Sequence, residues 1–176
     1  MQAVRELLAA NADTMLLCTR GGTALHWACK SASQNRLAIV NALLQVPVVS
    51  IRSQSDDGLA AKLKVEADHQ MGGILSCVDS TGRTALHWAC NDWNQQVVTH
   101  LLRVGVIVDA RDQDGRTPLH LAAKGPAKAT PGLAFEGAER TITCLVRDFG
   151  ADVHARTNAD ETPLQLAKDR RDLLEK

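Results

Sequence analysis

One seven-residue phrase occurs four times along this chain of 176 residues. It reads TALHWAC at 23–29 and again at 84–90, TPLHLAA at 117–123, and TPLQLAK at 162–168. The second and third copies begin at positions 84 and 117. A period of this length, about 33 residues, indicates an array of small structural units, because a single unit of that size cannot bury its own apolar surface. The repeat therefore directs the search for function to the surface of such an array.

The unit at 79–111 shows the pattern most clearly. Its first residues, DSTG, predict a tight turn in which Gly82 takes a positive φ. Thr84 suits the N-cap of a short first helix. A second helix is predicted by apolar residues at helical spacing, and Gly105 is placed to end it. The apolar face of this second helix would carry Val97, Val98, Leu101 and Leu102.

Extending this register gives a single repeat domain over residues 1–176. Its units are predicted at about 1–20, 21–78, 79–111, 112–156 and 157–176, of which the first and last are partial. The register starts the chain inside a second helix and leaves the last unit without most of its second helix. This favours either an excerpt of a longer protein or ends that are covered by something else.

Two spacings exceed the period and indicate insertions. The first and second phrases begin at positions 23 and 84, and the third and fourth begin at positions 117 and 162. We place the insertions at about 47–71 and 126–140. The first, with a helical pattern over 58–68, is either a solvated excursion or an arm that contacts a partner. The second predicts a Pro/Gly-rich loop that either packs on the array or meets a partner.

The phrase, the D-x-x-G turn, the paired leucines and the connector G-x-x-V-x-A together resemble the ankyrin repeat family, whose units have the same length. The resemblance covers nearly all of the chain except the two insertions. It implies an all-α solenoid of about four units, each a helix–turn–helix followed by a β-turn finger. It also implies a non-catalytic scaffold that binds another protein through the fingertips and the concave face of the first helices.

The resemblance assigns twelve positions of this sequence to the variable, partner-binding surface. Two of them are arginines one period apart, which either read carboxylates on a partner or are ordinary solvated charges. The tryptophan among them is either an exposed hot spot or a cap on the edge of the stack. The twelve residues are Ser80, Thr81, Arg83, Asn91, Asp92, Trp93, Gln113, Asp114, Arg116, Lys124, Asn158 and Glu161.

Composition and motifs argue against several other classes of function. Twenty basic and twenty acidic residues give a formal net charge of zero, which provides no electrostatic footprint for nucleic acid or an anionic membrane. No catalytic or cofactor-binding motif is present, so we expect no enzyme activity, no cofactor and no small-molecule substrate. Five cysteines without a CxxC motif favour a reducing compartment, either cytoplasm or nucleus.

A histidine and a cysteine stand three residues apart in the first two phrases, as in half of a metal site. Zinc usually needs four converging ligands, so we expect no metal here. The resemblance implies instead that the histidine ties the turn to its helix by a hydrogen bond. The cysteine of each pair takes the small apolar position that Ala123 takes in the third phrase.

Three other hypotheses stay open at the level of sequence. The phrases at 23–29 and 161–168 look similar to those that open and close gankyrin-type proteasome assembly chaperones, which would grip a proteasomal ATPase. The array is alternatively the C-terminal regulatory part of a larger multidomain enzyme or acyl-CoA-binding protein. An enzyme with its site between the two insertions would show a pocket there.

Overall fold

A computed structural model describes residues 2–10, 12–19, 21–30, 35–44, 73–125 and 133–167. These residues form helices joined by turns, and their β pairing consists of an isolated bridge between Val78 and Thr84. The helices are α1 (Gln2–Ala9), α2 (Ala24–Lys30), α3 (Arg36–Leu44), α4 (Ala85–Asn91), α5 (Gln95–Arg103), α6 (Pro118–Lys124), α7 (Leu133–Thr143) and α8 (Pro163–Leu166). A π-helical segment, Cys144–Asp148, continues α7.

The helices stack in two layers. The first helix of each unit packs against the first helix of the next, so that α2, α4, α6 and α8 form one layer. The second helices α1, α3, α5 and α7 form the other layer, and each unit is closed by contacts between its own two helices. Because helices of seven residues are marginal in isolation, the stacking itself stabilises them. The predicted all-α solenoid is confirmed.

Threonine begins the first helices, as the phrase predicts. Thr84, Thr117 and Thr162 are extended residues directly before α4, α6 and α8. The amide of each threonine donates to a side chain three residues on, to Nδ1 of His87 and His120 (3.1 Å each) and to Oε1 of Gln165 (2.7 Å). The repeated phrase is therefore a helix-start signal in which the third helical residue satisfies the backbone of the cap.

Glycine ends α5. Gly105 has φ 92°, its amide donates to the carbonyl of Leu102, and the amide of Val106 donates to that of Leu101. This pair of hydrogen bonds is the Schellman arrangement, which needs a left-handed residue at the position of Gly105. The prediction from the sequence is confirmed at this helix end.

The core lies between the two layers and is aliphatic. Leu25, Leu86 and Leu119 occupy equivalent positions in the first helices and are fully buried. The predicted inner face of α5 is buried throughout. The small apolar position is buried in all three units, as Cys29, Cys90 and Ala123. Helix α1 differs, because it has no buried residue and exposes Leu7.

The second insertion differs from the prediction of a loop. Residues 133–140 belong to α7, so the loop interpretation is wrong for that part of 126–140. Ala138 and Ile142 are buried, which shows that the insertion lengthens a packed helix rather than leaving the stack. The first insertion, 47–71, its helical pattern at 58–68 and the tail from 168 lie outside the described residues, as does the expected pocket between the insertions. None of the helices described is both long and apolar enough to cross a lipid bilayer.

Candidate protein-binding surface

Three β-turn fingers, at 79–84, 112–117 and 157–162, lie side by side at one edge of the stack. The amide of Gln113 donates to the carbonyl of Thr81 (3.0 Å), and the amide of Asn158 donates to that of Asp114 (2.9 Å). The amide side chain of Asn158 adds a hydrogen bond to the carbonyl of Gln113 (2.9 Å). These backbone bonds make the fingers a continuous ladder.

An aspartate holds the backbone of each of the first two fingers. Oδ1 of Asp79 accepts the amides of Thr81 (2.7 Å) and Arg83 (3.0 Å), and its Oδ2 accepts the indole N–H of Trp88 (2.8 Å). Burial by itself raises the pKa of Asp79, but these hydrogen bonds outweigh it and lower the pKa below its ordinary value. Asp112 repeats the arrangement with the amides of the second finger. The sequence predicted the turns but gave no role to these carboxylates.

The histidines of the phrase join neighbouring units. Nε2 of His26, His87 and His120 lies 2.9, 3.0 and 3.1 Å from a carbonyl oxygen of the following finger. Since Nδ1 accepts the amide of the cap threonine, each ring is neutral with its proton on Nε2. The histidine therefore ties its turn to its helix, as the resemblance implied, and also ties its unit to the next.

Burial is the main cause of the shifted pKa values of these histidines. The three rings are fully buried, and burial lowers the pKa of each below its ordinary value of 6.5. The hydrogen bond to the carbonyl of the next finger raises the pKa, but it is the smaller effect. The neutral ring is the form that can accept the amide of the cap threonine at Nδ1.

Both candidate arginines form ion pairs within the array. Nε of Arg83 lies 3.3 Å from Oδ2 of Asp112, and Nη1 of Arg116 lies 2.6 Å from Oδ2 of Asp114. Asp112 is buried, so the first pair fixes the guanidinium between two fingers. Neither arginine is a simple solvated charge, and both remain partly exposed.

Trp93 lies in the turn between α4 and α5 with a positive φ of 51°. Its Nε1 donates to the carbonyl of Ala122 in the next unit at 2.7 Å, and the side chain is half-buried. This geometry favours the second alternative drawn from the sequence, in which the indole caps the edge of the stack.

The twelve sequence-predicted residues lie on the fingers, at the ends of the first helices and in the turn that follows α4. Those that are exposed are Ser80, Thr81, Gln113, Asp114, Lys124 and Asn158. Those that are half-buried are Arg83, Asn91, Asp92, Trp93, Arg116 and Glu161.

A small open pocket of about 80 Å³ lies beside several of these residues. Its lining adds Lys30 and Trp88, which the sequence did not single out for binding, to three predicted residues. Lys30 directly follows the first phrase, as Asn91 and Lys124 follow the second and third. Its position in the repeat would therefore have identified it as a candidate binding residue. Among the described residues, no three His, Cys, Asp or Glu side chains are grouped so as to hold a metal ion.

A helical array with a ladder of fingers is typical of repeat proteins that act as scaffolds. Comparison with known protein families identifies the family. A family model described as ankyrin repeats in three copies matches residues 53–144, and a single ankyrin repeat model matches residues 20–53. The chain belongs to the ankyrin repeat family. Members of this family are in general protein-binding modules without catalytic activity.

Individual relatives are longer proteins. The chain is 30% identical to the nuclear factor NF-kappa-B p105 subunit of Gallus gallus over 94% of its own length and 19% of that protein. It is 30% identical to the B-cell lymphoma 3 protein homolog of Mus musculus over 96% of its length and 37% of that protein. Protein glp-1 of Caenorhabditis elegans is 37% identical over 49% of this chain and 6% of the relative.

Proposed function

We propose that this chain is a non-catalytic scaffold that binds another protein through its fingertips and the adjoining ends of the first helices. The observation that carries the proposal is the finger ladder, whose tips present polar side chains on a fixed backbone. Gln113, Asp114 and Asn158 are exposed there, while their main chains are held by hydrogen bonds between fingers. A partner that docks on such a surface meets side chains whose positions are already set, which reduces the entropy lost on binding.

We further propose that the scaffold works in the cytoplasm or the nucleus. None of the five cysteines is paired in a disulfide, and three of them are buried in the core. Reduced thiols are typical of proteins in reducing compartments. The name of one relative, a nuclear factor subunit, agrees with this proposal.

The surface is tested by two matched double variants. The fingertip variant combines Ser80→Arg with Gln113→Arg, which places two bulky cations on exposed positions of neighbouring fingers. The control variant combines Gln95→Arg with Gln96→Arg, which adds the same charges at exposed positions of α5 in the other layer. Arg83 and Arg116 are left unchanged, because their ion pairs would confuse a loss of binding with a loss of structure.

Wild type and both variants are used as baits in native lysate, and captured proteins are quantified by mass spectrometry. We expect a partner that the control retains and the fingertip variant loses by at least tenfold. Titration calorimetry with the purified partner then confirms a direct contact. Equal binding of a partner to both variants would show that the binding site does not lie on the fingers.

A further inference from the structure

The pocket beside the fingers is a concave site shared by three successive units. Lys30 reaches it from the end of α2, Trp88 from α4 and Leu121 from α6. Asp92 directly follows α4, and Arg83 enters from the finger. Its volume of about 80 Å³ fits one side chain rather than a small-molecule cofactor. The site is therefore suited to an anchor residue of a docked protein.

Two cations face this pocket. The ammonium of Lys30 is held over the ring of Trp88 at 5.1 Å and over that of Trp27 at 5.9 Å, so aromatic faces fix its position. The ion pairs found among the described residues do not include Lys30. Arg83 uses Nε for its ion pair with Asp112, and 31% of its side chain is exposed. A guanidinium has five N–H donors, of which Nε supplies one.

The other lining residues limit which side chain of a partner can bind in the pocket. Trp88 and Leu121 supply apolar walls, against which the methylenes of a side chain pack. Asp92 supplies one carboxylate, whose Oδ1 is held by the side-chain amide of Asn91 at 2.9 Å. Arg83 is already paired with Asp112, so Lys30 is the cation of the lining that forms no ion pair among the described residues. Because Asp92 opposes further negative charge, the pocket favours a single negative charge on a short apolar stem.

We propose that this pocket takes the carboxylate side chain of one Glu or Asp in an acidic segment of the partner protein, with Lys30 and Arg83 as its charge partners. This inference rests on the proposed function and adds to it the chemistry of the anchor residue. The same two cations suit a phosphate group, but the opposing Asp92 disfavours a doubly charged ligand over a singly charged one.

Random twelve-residue peptides displayed on phage are panned against the full chain, and enriched sequences are read. Lys30→Gln is the test variant. Arg103→Gln is the matched control, because it also removes one positive charge but from an exposed position of α5, in the other layer and outside the pocket lining. Circular dichroism checks that both variants fold.

We expect enriched peptides to share one acidic residue, and Lys30→Gln to weaken the best peptide about fivefold while Arg103→Gln leaves it unchanged. The isosteric Asp92→Asn removes the opposing charge and should tighten the same peptide about threefold. Replacing the acidic residue of the peptide by its amide should cost wild type about fivefold and Lys30→Gln little. In nuclear magnetic resonance spectra, the indole N–H of Trp88 should shift on titration and that of Trp93 should not.

Three results would overturn the inference. These are peptides without an acidic preference, an acidic preference that Lys30→Gln retains, and no enrichment at all. A phosphoserine version of the peptide that binds more than tenfold tighter, with displacement by inorganic phosphate, would reassign the pocket to a phosphate. None of these results affects the comparison between the fingertip variant and its control. The proposal of an acidic anchor residue can therefore fail while the proposal of a protein-binding scaffold stands.

Discussion

The indole ring of Trp93 lies against the backbone of Gly125, which belongs to the next unit of the array and stands where α6 ends. A β-carbon added to Gly125 would overlap the six-membered part of that ring. One added to Gly137 in α7 would lie 3.4 Å from Cβ of the same tryptophan. Trp93 therefore fills a place that two glycines of the next unit leave open, and it joins the two units from the side.

Gly125→Ala should lower the free energy of unfolding by about 3 kcal/mol. Overpacking against a ring that is itself held by a hydrogen bond costs about 1–3 kcal/mol. Gly125 has φ 70° and ψ 177°, a conformation that is essentially restricted to glycine and adds about 1–3 kcal/mol for a residue with a β-carbon. Urea unfolding followed by circular dichroism measures the change.

Gly105→Ala is the matched control for this prediction. Gly105 also has a positive φ, 92°, but nothing lies within 4 Å of a β-carbon built there. This variant should lose only the backbone contribution of about 1 kcal/mol. Equal losses in the two variants would show that the contact between Trp93 and Gly125 contributes nothing to stability.

Acid should weaken the fold before any carboxylate titrates. Burial places the pKa of His26, His87 and His120 in the folded chain below 6.5, so the unfolded chain binds more protons just below that pH. The contribution of the neutral rings is therefore complete above about pH 6.5 and decreases as the pH falls below it. Each histidine adds at most about 1.4 kcal/mol per pH unit to the slope. Unfolding in urea at pH 7.5, 6.5 and 5.5 measures the decrease.

His120→Gln separates this effect from other acid chemistry. Gln165 of the last unit shows that a glutamine accepts the cap amide through Oε1, at 2.7 Å from the nitrogen of Thr162. The variant should be somewhat less stable at pH 7.5, because a glutamine is shorter than the ring that reaches the carbonyl of Glu161. Its stability should also depend less on pH. An unchanged slope would mean that His120 does not titrate on unfolding.

Most of the fold could be predicted from sequence signals that lie within a single repeat unit. The cap at Thr84, the left-handed Gly105 and the buried face of α5 all follow from residues within one unit, and each is confirmed. The contacts that join units were harder to predict, because they depend on how one unit sits on the next. The packing of Trp93 on Gly125 and the pairing of Arg83 with Asp112 are of this kind. Lys30 was missed although it holds the position in the repeat that Asn91 and Lys124 hold, because its contact with the ring of Trp88 depends on how α2 packs against α4.

Cys18 occupies in the first turn the position that Asp79 occupies in the next. The amide of Cys18 donates to the carbonyl of Gly22, as that of Asp79 donates to Arg83. The indole of Trp27 donates to Sγ of Cys18 at 3.2 Å, where the indole of Trp88 has a carboxylate oxygen. Cys18→Asp should raise the free energy of unfolding by about 1 kcal/mol, because a carboxylate is a stronger acceptor for the indole and the turn amides.

Cys18→Ala is the comparison for this gain. It removes the weak sulfur acceptor without adding another, so the stability should stay level or fall slightly. Thermal unfolding should rank Cys18→Asp above wild type by about 3 °C for a domain of this size. A melting temperature of Cys18→Asp at or below that of Cys18→Ala would show that the first turn does not accept a carboxylate.

Asp160 takes a left-handed conformation, φ 62°, at the position that Gly82 and Gly115 hold in the other fingers. Its carboxylate lies 2.6 Å from Nη1 of Arg156, but both side chains are exposed, so this ion pair contributes little. Asp160→Asn should therefore change the free energy of unfolding by less than about 0.5 kcal/mol, since Asn also tolerates this conformation. Asp160→Ala should lower it by about 1 kcal/mol, because alanine does not. If both variants lost the same amount in urea, the ion pair rather than the backbone would be what Asp160 provides.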